Sequence, residues 1–403
     1  VSVSPAMVRG ALLLVLATGV LARGADMSSE PGPAPAVTLE AAYAGDLWRN
    51  VDGGIARGGA YLDNLDLMAT LDGAQLPGLA GLTVHAHLMH NNGHAFTDRT
   101  GEAQAISNIE GVDTWRLYEM WGEYRFGGDA GATLRAGLYD LNSEFDSIDS
   151  AGLFLNSSHG IGPEFAQSGQ NGPSIFPVTS LAVRLRQASA GGYWQVAAFD
   201  AVPGQPQHPE RTGLHLGGGE GALLVAEFAR TGTRLTKLAA GGWFYTARFE
   251  AMGETDPAGD PVLAHGNHGF YAIGEMQLLQ HGAIDLSGWL RAGIAAERFN
   301  AFGDYVGGGL TVRGLVPGRP DDQVGFAVAS VGAGARWRSM LALTGEGSHA
   351  RETAVELTWR LPVRDWLTLQ PDVQYVLHPA ASAATPSAIA VGLRFELSGS
   401  WSR

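Results

Sequence analysis

The chain has no cysteine among its 403 residues, which excludes a disulfide scaffold, a thiol nucleophile and any cysteine-based zinc or iron–sulfur site. Charge is also scarce, at 16% of residues against the roughly 25% of an ordinary soluble protein. What charge there is leans acidic: 26 Lys and Arg stand against 40 Asp and Glu, a net −14, so nucleic acid is excluded as a partner. Beyond the N-terminus there is no run of about 18 apolar residues, so a bundle of transmembrane helices is excluded as well. Yet the mean hydropathy is +0.01 and 45% of residues are hydrophobic. Fifty-seven glycines accompany them. Hydrophobicity spread this thinly is how transmembrane strands carry it.

The N-terminus reads as an address. Arg9 precedes the apolar run from Ala11 to Ala17, and small residues follow around Ala22 and Ala25. A basic start, an apolar core too short to span a bilayer and a small-residue cleavage point predict a signal peptide over 1–25 and export. Residues 26–36, with the SSEPGPAP stretch, read as a flexible leader, and 37–403 as one membrane domain.

From there the chain alternates with period two. Ile389, Val391, Leu393, Phe395 and Leu397 share one parity, with Gly392, Arg394 and Glu396 on the other. Leu181, Val183 and Leu185 oppose Arg184 and Arg186; Tyr118, Met120, Tyr124 and Phe126 oppose Glu119, Trp121 and Glu123. Successive strand residues point to opposite faces, so this pattern suits a wall with lipid on one side and water on the other. Counting such segments predicts about sixteen strands, an even number that leaves no unpaired edge in lipid. The connections alternate between short ones, such as 127–132, 188–191 and 280–282, and long ones, such as 91–111 and 201–220. An all-β, antiparallel transmembrane barrel with short periplasmic turns and long outer loops has this rhythm, and a soluble sandwich has no reason for it. The third long connection, 141–178, is by far the longest and holds apolar residues costly to leave in water, so it is expected to fold into the lumen and narrow it.

The residues then resemble a known family. GLYDLNSEFDS (137–147), LFLNSSHGIGP (153–163), SIFPVTSLAVRL (174–185), ETAVELTWRLPVRDWLTLQPDVQYVLHP (352–379) and YAGDLWRNVDGG (43–54) look like the carbohydrate-selective porins of the OprB family. The resemblance implies an outer-membrane barrel that lets glucose and similar sugars diffuse into the periplasm, with inward loops lining a polar constriction. On that basis Asn142, Glu144, Phe145, Asn156 and His159 are carried over as pore-lining residues. One departure is the chain end, which continues past Phe395 to Arg403; the strand parity extends to Trp401, which then reads as an interfacial anchor.

Independently of family, parity directs Glu119, Glu123, Glu227, Glu275, Glu356 and Asp372 into the channel, with Arg135, Arg184, Arg186, Arg291, Arg394 and Lys237. The signs nearly balance, as suits a neutral polar solute better than an ion. An acidic patch abutting a basic one is expected near the narrowest point, from Glu119, Glu123, Arg135, Arg184 and Arg186; the alternative is that these charges only satisfy one another. Trp121, Tyr139, Trp243, Tyr271 and Trp289 share the inward parity and could stack on sugar rings, whereas Trp194, Phe244, Trp359 and Tyr375 suit the interfacial girdle. His85 and His87 share a strand face and could bind zinc, but spacing fixes no carboxylate beside them, and a wet lumen-facing pair is the plainer account. The glycine run 217–219 imitates a phosphate loop without the helix that would make it one. No nucleophile elbow is present, and no cofactor is expected. Acidic residues outside the expected strands, including Asp46, Asp52, Asp98, Glu102, Glu110, Asp146, Asp149, Glu210, Glu254, Asp256 and Asp260, suggest contact with lipopolysaccharide through divalent cations. A size-filtering general porin, a barrel enzyme and a plugged structural barrel stay open as alternatives, as does monomer against homotrimer.

Overall fold

A computed structural model describes residues 36–403 apart from 128–130, 213–219, 344 and 346. The expected signal peptide and nearly all of the leader lie outside the described residues, as does the glycine run 217–219. Sixteen strands close into one antiparallel barrel. They begin with β1 (Val37–Asp52), β2 (Gly58–Asp72), β3 (Leu82–Asn91), β4 (Thr114–Arg125) and β5 (Ala132–Tyr139). After the third outer loop come β6 (Ser180–Ser189), β7 (Gly192–Asp200), β8 (Ala222–Arg230) and β9 (Leu235–Tyr245). A separate outer hairpin, β10 (Phe249–Thr255) and β11 (Pro261–Ala264), precedes β12 (His268–His281) and β13 (Ile284–Ala295). The barrel then runs through β14 (Phe302–Arg313), β15 (Gln323–Ala333), β16 (Arg351–Arg364), β17 (Leu367–Leu377) and β18 (Ala388–Ser402).

Closure is made by β18 pairing with β1, from Thr38 opposite Ser402 to Asp52 opposite Ile389. Val37 and Arg403 exchange backbone hydrogen bonds of 3.0 and 2.9 Å. Every barrel strand therefore has two neighbours, and no backbone edge faces lipid. The outward parity is mostly apolar, as at Leu290, Ile294, Phe326, Leu357 and Val373, all exposed on the isolated barrel. It is interrupted by Arg49 of β1 and by Asp63 of β2, which accepts from the Tyr43 hydroxyl. The girdle candidates Trp194, Phe244, Trp359 and Tyr375 sit on this face, and so does Trp401, opposite Leu39.

Three features depart from the sequence reading. Strand β1 runs on past residue 44 to Asp52, so Asp46 is an inward strand residue and not a loop acid. The outer hairpin and a helix at Ala335–Leu343 build two of the long loops, where no periodicity announces them. Tyr118 was expected on the lipid face but is buried, because a bulge between the pairs His87–Glu119 and Leu88–Leu117 gives β4 an extra residue there. Such an insertion re-aims one side chain and resets the parity beyond it.

The interior is not empty. The third loop, residues 140–179, packs Leu141, Phe145, Ile148, Leu153, Phe154 and Phe165 against inward wall residues including Phe199, Trp243, Tyr271 and Trp289. Wall glycines make this approach feasible. A Cβ on Gly325 would stand 2.7 Å from Leu153, and one on Gly293 would collide with the Glu164 carboxylate.

Candidate functional site

The third loop is bound to the wall by charge as well as by packing. Arg291 of β13 holds Asp146 at two points, 2.8 and 2.5 Å, and Glu164 at 2.8 Å, all of them buried. Glu356 of β16 accepts the backbone N–H groups of Leu155 and Asn156 at 2.6 and 3.0 Å, and Glu275 of β12 accepts that of Ser150 at 2.6 Å. Glu227 of β8 accepts the N–H of Asp146 at 2.9 Å, and Lys237 of β9 donates to the Ser147 carbonyl at 2.8 Å. Much of the inward charge foreseen from parity thus fastens the loop.

The second outer loop, 92–113, also turns inward. Phe96, Ile106 and Ile109 are buried, and Glu352 of β16 accepts the N–H groups of Ala103 and Gln104 at 2.7 and 3.0 Å. Within this loop Glu102 is buried against Thr97, Thr100 and the Ile106 N–H, and burial raises its carboxyl above the ordinary value. Glu102 and Asp146 are therefore not available at the surface, and Asp46 is buried against Arg394 at 2.7 and 2.8 Å. A carboxylate left unpaired in the interior would be costly, which is why these acids meet donors instead of water.

Between these two loops and the arc of wall from β16 round to β4 lies a cavity of about 850 Å³. Asn64, Asp66 and His87 border it on one side, Asn142 and Ser157 on the loop side, and Arg360, Thr368, Arg394 and Glu396 below. Two ion pairs stand there, Arg360 with Glu396 at 3.2 Å and Arg394 with Asp46 behind the lining. The lining acids Asp66, Glu110 and Asp140 are met by hydrogen-bond donors from His87, the Phe96 N–H and the Tyr118 hydroxyl. Asn64 and Asp66 alternate in β2 with the parity of a wet face, a pattern legible in the sequence itself.

Beside the third loop, Glu123, Arg135 and Arg184 stand directly opposite one another across β4, β5 and β6. Arg135 Nε donates to Glu123 at 3.1 Å, and Arg184 Nη2 donates to Glu123 at 2.7 Å. Glu144 reaches in from the loop to Arg184 at 2.9 and 2.5 Å, while Arg186 Nη1 stays 3.9 Å from it. Exposure varies within the row: 18% for the Glu123 side chain, 13% for Arg135, 1% for Arg184 and 32% for Arg186. Arg135 lies over the Trp121 ring at 3.8 Å and Arg186 over Tyr193 at 4.0 Å.

The structure brings together Glu123, Arg135, Glu144, Arg184, Arg186 and Trp121, and places Glu119 next to them beside His85 and His87. Asn142 and Asn156 border the cavity; Asn142 also donates to the carbonyls of Phe145, Asp146 and Gly160, and Asn156 to Gln104 and Gln374. Three residues expected on the channel surface are not there. Phe145, His159 and Tyr139 are wholly buried under the loop, Tyr139 and Phe145 both against Phe199 and His159 against Phe154 and Trp289. Burial pushes His159 down to about 3, so it is a neutral packing group. Trp243, Tyr271 and Trp289 likewise anchor the loop and form no stacking stripe: Phe165 lies on Trp243 at 4.9 Å with the rings 6° from parallel.

Known proteins agree with this architecture. Residues 56–398 match the family model described as carbohydrate-selective porin, OprB family. Porin B of Pseudomonas aeruginosa is 23% identical over 398 residues, covering 88% of this chain and 86% of that protein. The high-pH structure of Pseudomonas putida OprB superposes with a TM-score of 0.80 at 22% identity, covering 90% of this chain and 94% of the other. A triple mutant of Rhodopseudomonas blastica porin gives a TM-score of 0.52 at 11% identity, over 90% and 100%. The match over most of the chain shows that it belongs to the carbohydrate-selective porin, OprB family, whose members are outer-membrane channels for the diffusion of sugars.

Proposed function

We propose that glucose and similar small sugars cross this barrel passively through the cavity between the inward loops and the β16–β4 arc, passing the row of Glu123, Arg135, Arg184 and Arg186. The observation that carries this reading is the pairing of opposite charges along the route. A wall with one sign in excess draws ions, whereas paired charges offer donors and acceptors to a neutral polyol that must exchange its water for hydrogen bonds. The match to a porin family supports reading the chain as a channel rather than an enzyme.

The test is liposome swelling with the refolded barrel, comparing glucose, a disaccharide and a zwitterionic amino acid near glucose in size. Fast, saturable uptake of glucose over the amino acid supports selectivity. Equal rates would make this a size filter, and no swelling would make it a plugged barrel.

Lipid is the proposed partner of the apolar outer face. Lipopolysaccharide contact through divalent cations rests on the acids that stay exposed in outer loops, such as Asp98, Glu210, Asp256 and Asp260. Unchanged protease sensitivity of these loops after chelation in native membranes would remove that proposal. Cross-linking in the same membranes distinguishes a homotrimer from a monomer.

A further inference from the structure

Next to the charged row, His85, His87 and Glu119 bring one ligand atom each to within 4.8 Å of one another. The two histidines share the inward parity of β3, and Glu119 is the residue opposite His87 on β4. His85 Nε2 is 3.7 Å from Glu119 Oε2, and His87 Nδ1 is 4.0 Å from the same oxygen. Sequence spacing alone supplied no carboxylate for these histidines; strand register does.

The far side of every ligand is already held. His87 Nε2 lies 2.8 Å from Asp66 Oδ1, and His85 Nδ1 lies 2.9 Å from Thr70 Oγ1. Glu119 Oε1 accepts the backbone N–H of Asp140 at 2.8 Å. Each imidazole therefore spends one nitrogen on an oxygen behind it and turns the other towards a point shared with Oε2. A carboxylate behind a histidine fixes its tautomer and makes the remaining nitrogen a better ligand, the arrangement found around protein-bound metals. The Thr70 hydroxyl is able to accept the Nδ1–H of His85 in the same way.

We propose that His85, His87 and Glu119 form a binding site for a divalent transition-metal ion of the zinc type. Two imidazoles and one carboxylate are a ligand set suited to Zn²⁺, with the fourth position open. Zinc–nitrogen bonds of about 2.1 Å put neighbouring tetrahedral ligands about 3.4 Å apart. The observed 3.7 and 4.0 Å separations from Glu119, and the separation of the two histidines within 4.8 Å, must close to that by side-chain rotation. Access is through the channel, because His87 borders the cavity and the three side chains keep 11–13% of their surface exposed. Oxygen-seeking Mg²⁺ and Ca²⁺ are disfavoured by the two nitrogens.

The experiment is isothermal titration of Zn²⁺ into the tag-free refolded barrel, with Co²⁺ as a second probe read by its visible absorption. One equivalent of tightly bound Zn²⁺ is expected, together with the intense bands of low-coordinate Co²⁺. His85→Ala combined with His87→Ala should abolish both, and Asp66→Asn, which keeps all three ligands, should weaken Zn²⁺ about 10–100-fold. Glu119→Gln serves as the second ligand variant if the double variant does not refold, with heat-modifiable gel migration reporting the folded barrel. Zn²⁺ bound no more tightly by the parent than by the ligand variants, or Co²⁺ bands unchanged in them, would overturn the proposal.

Discussion

Arg184 of β6 and Glu144 of the third loop meet in a two-point pair, Nε to Oε2 at 2.9 Å and Nη2 to Oε1 at 2.5 Å. The same guanidinium reaches Glu123 on β4, so one arginine joins the loop to the wall where the charged row begins. Its side chain is 1% exposed, too enclosed to leave its charge unpaired. This contact therefore couples the position of the loop, which other anchors also hold, to the charge of the channel wall.

Glu144→Gln keeps the shape of the side chain and removes its charge. Hydrogen bonds to a charged group contribute about 1.5–3 kcal/mol each, so the variant should unfold more readily by about 2 kcal/mol. The row then has three arginines against Glu123 alone, and the channel should shift towards anions. Reversal potentials across a salt gradient measure that shift; an unchanged potential would show that Glu144 is remote from the permeation path.

Arg186 offers the contrast. It is 32% exposed and sits 3.9 Å from Glu144, so little of the fold depends on it. Arg186→Gln should change stability by no more than about 0.5 kcal/mol, as for most surface positions. If the row handles sugar, the glucose concentration at half-maximal flux should rise several-fold, while Arg184→Gln should chiefly destabilise the barrel. Flux measured against glucose concentration separates the two, and an Arg186 variant with parent-like saturation would take that residue off the route.

The barrel was legible in the sequence because a wall between lipid and water imposes period two on every strand, and the row of Glu123, Arg135 and Arg184 followed from that parity. Parity gives direction and does not say what a side chain meets. Trp243 and Trp289 point inward as expected, but the loop covers them, and that packing joins residues far apart in the chain. Register was the other missing quantity. Asp46 finds Arg394 only because β1 and β18 close the barrel, and Glu119 comes to face His87 through pairing that a bulge adjusts at Tyr118.

Burial gives Glu102 a titration of its own. Its carboxyl is raised above the ordinary value of 4.5 by burial, partly offset by its bonds to Thr100 and the Ile106 N–H. A raised folded-state value means that the folded chain holds this proton more tightly than the unfolded chain does. Its contribution is then most favourable below 4.5 and is lost as pH rises through the raised value. Glu102→Gln removes that dependence and keeps an acceptor for the Ile106 N–H. The variant should therefore gain stability over the parent as pH rises from 4.5 to 8, read from urea unfolding in detergent; a constant difference across that range would refute it.

Phe165 tests whether packing or charge governs the width of the channel. Its ring lies on Trp243 at 4.9 Å and near Tyr271 at 6.3 Å, in a layer where no water reaches it. Phe165→Ala removes that contact and leaves every ion pair of Arg184 and Arg291 in place. Deleting a buried phenyl costs about 3–5 kcal/mol when the surroundings cannot collapse. A loop tethered at only some of its anchors should move away from the wall into the cavity or outwards, so single-channel conductance should become broader and noisier, with weaker discrimination between glucose and a disaccharide. If stability falls while conductance and discrimination stay those of the parent, the ion pairs alone hold the loop where solute passes.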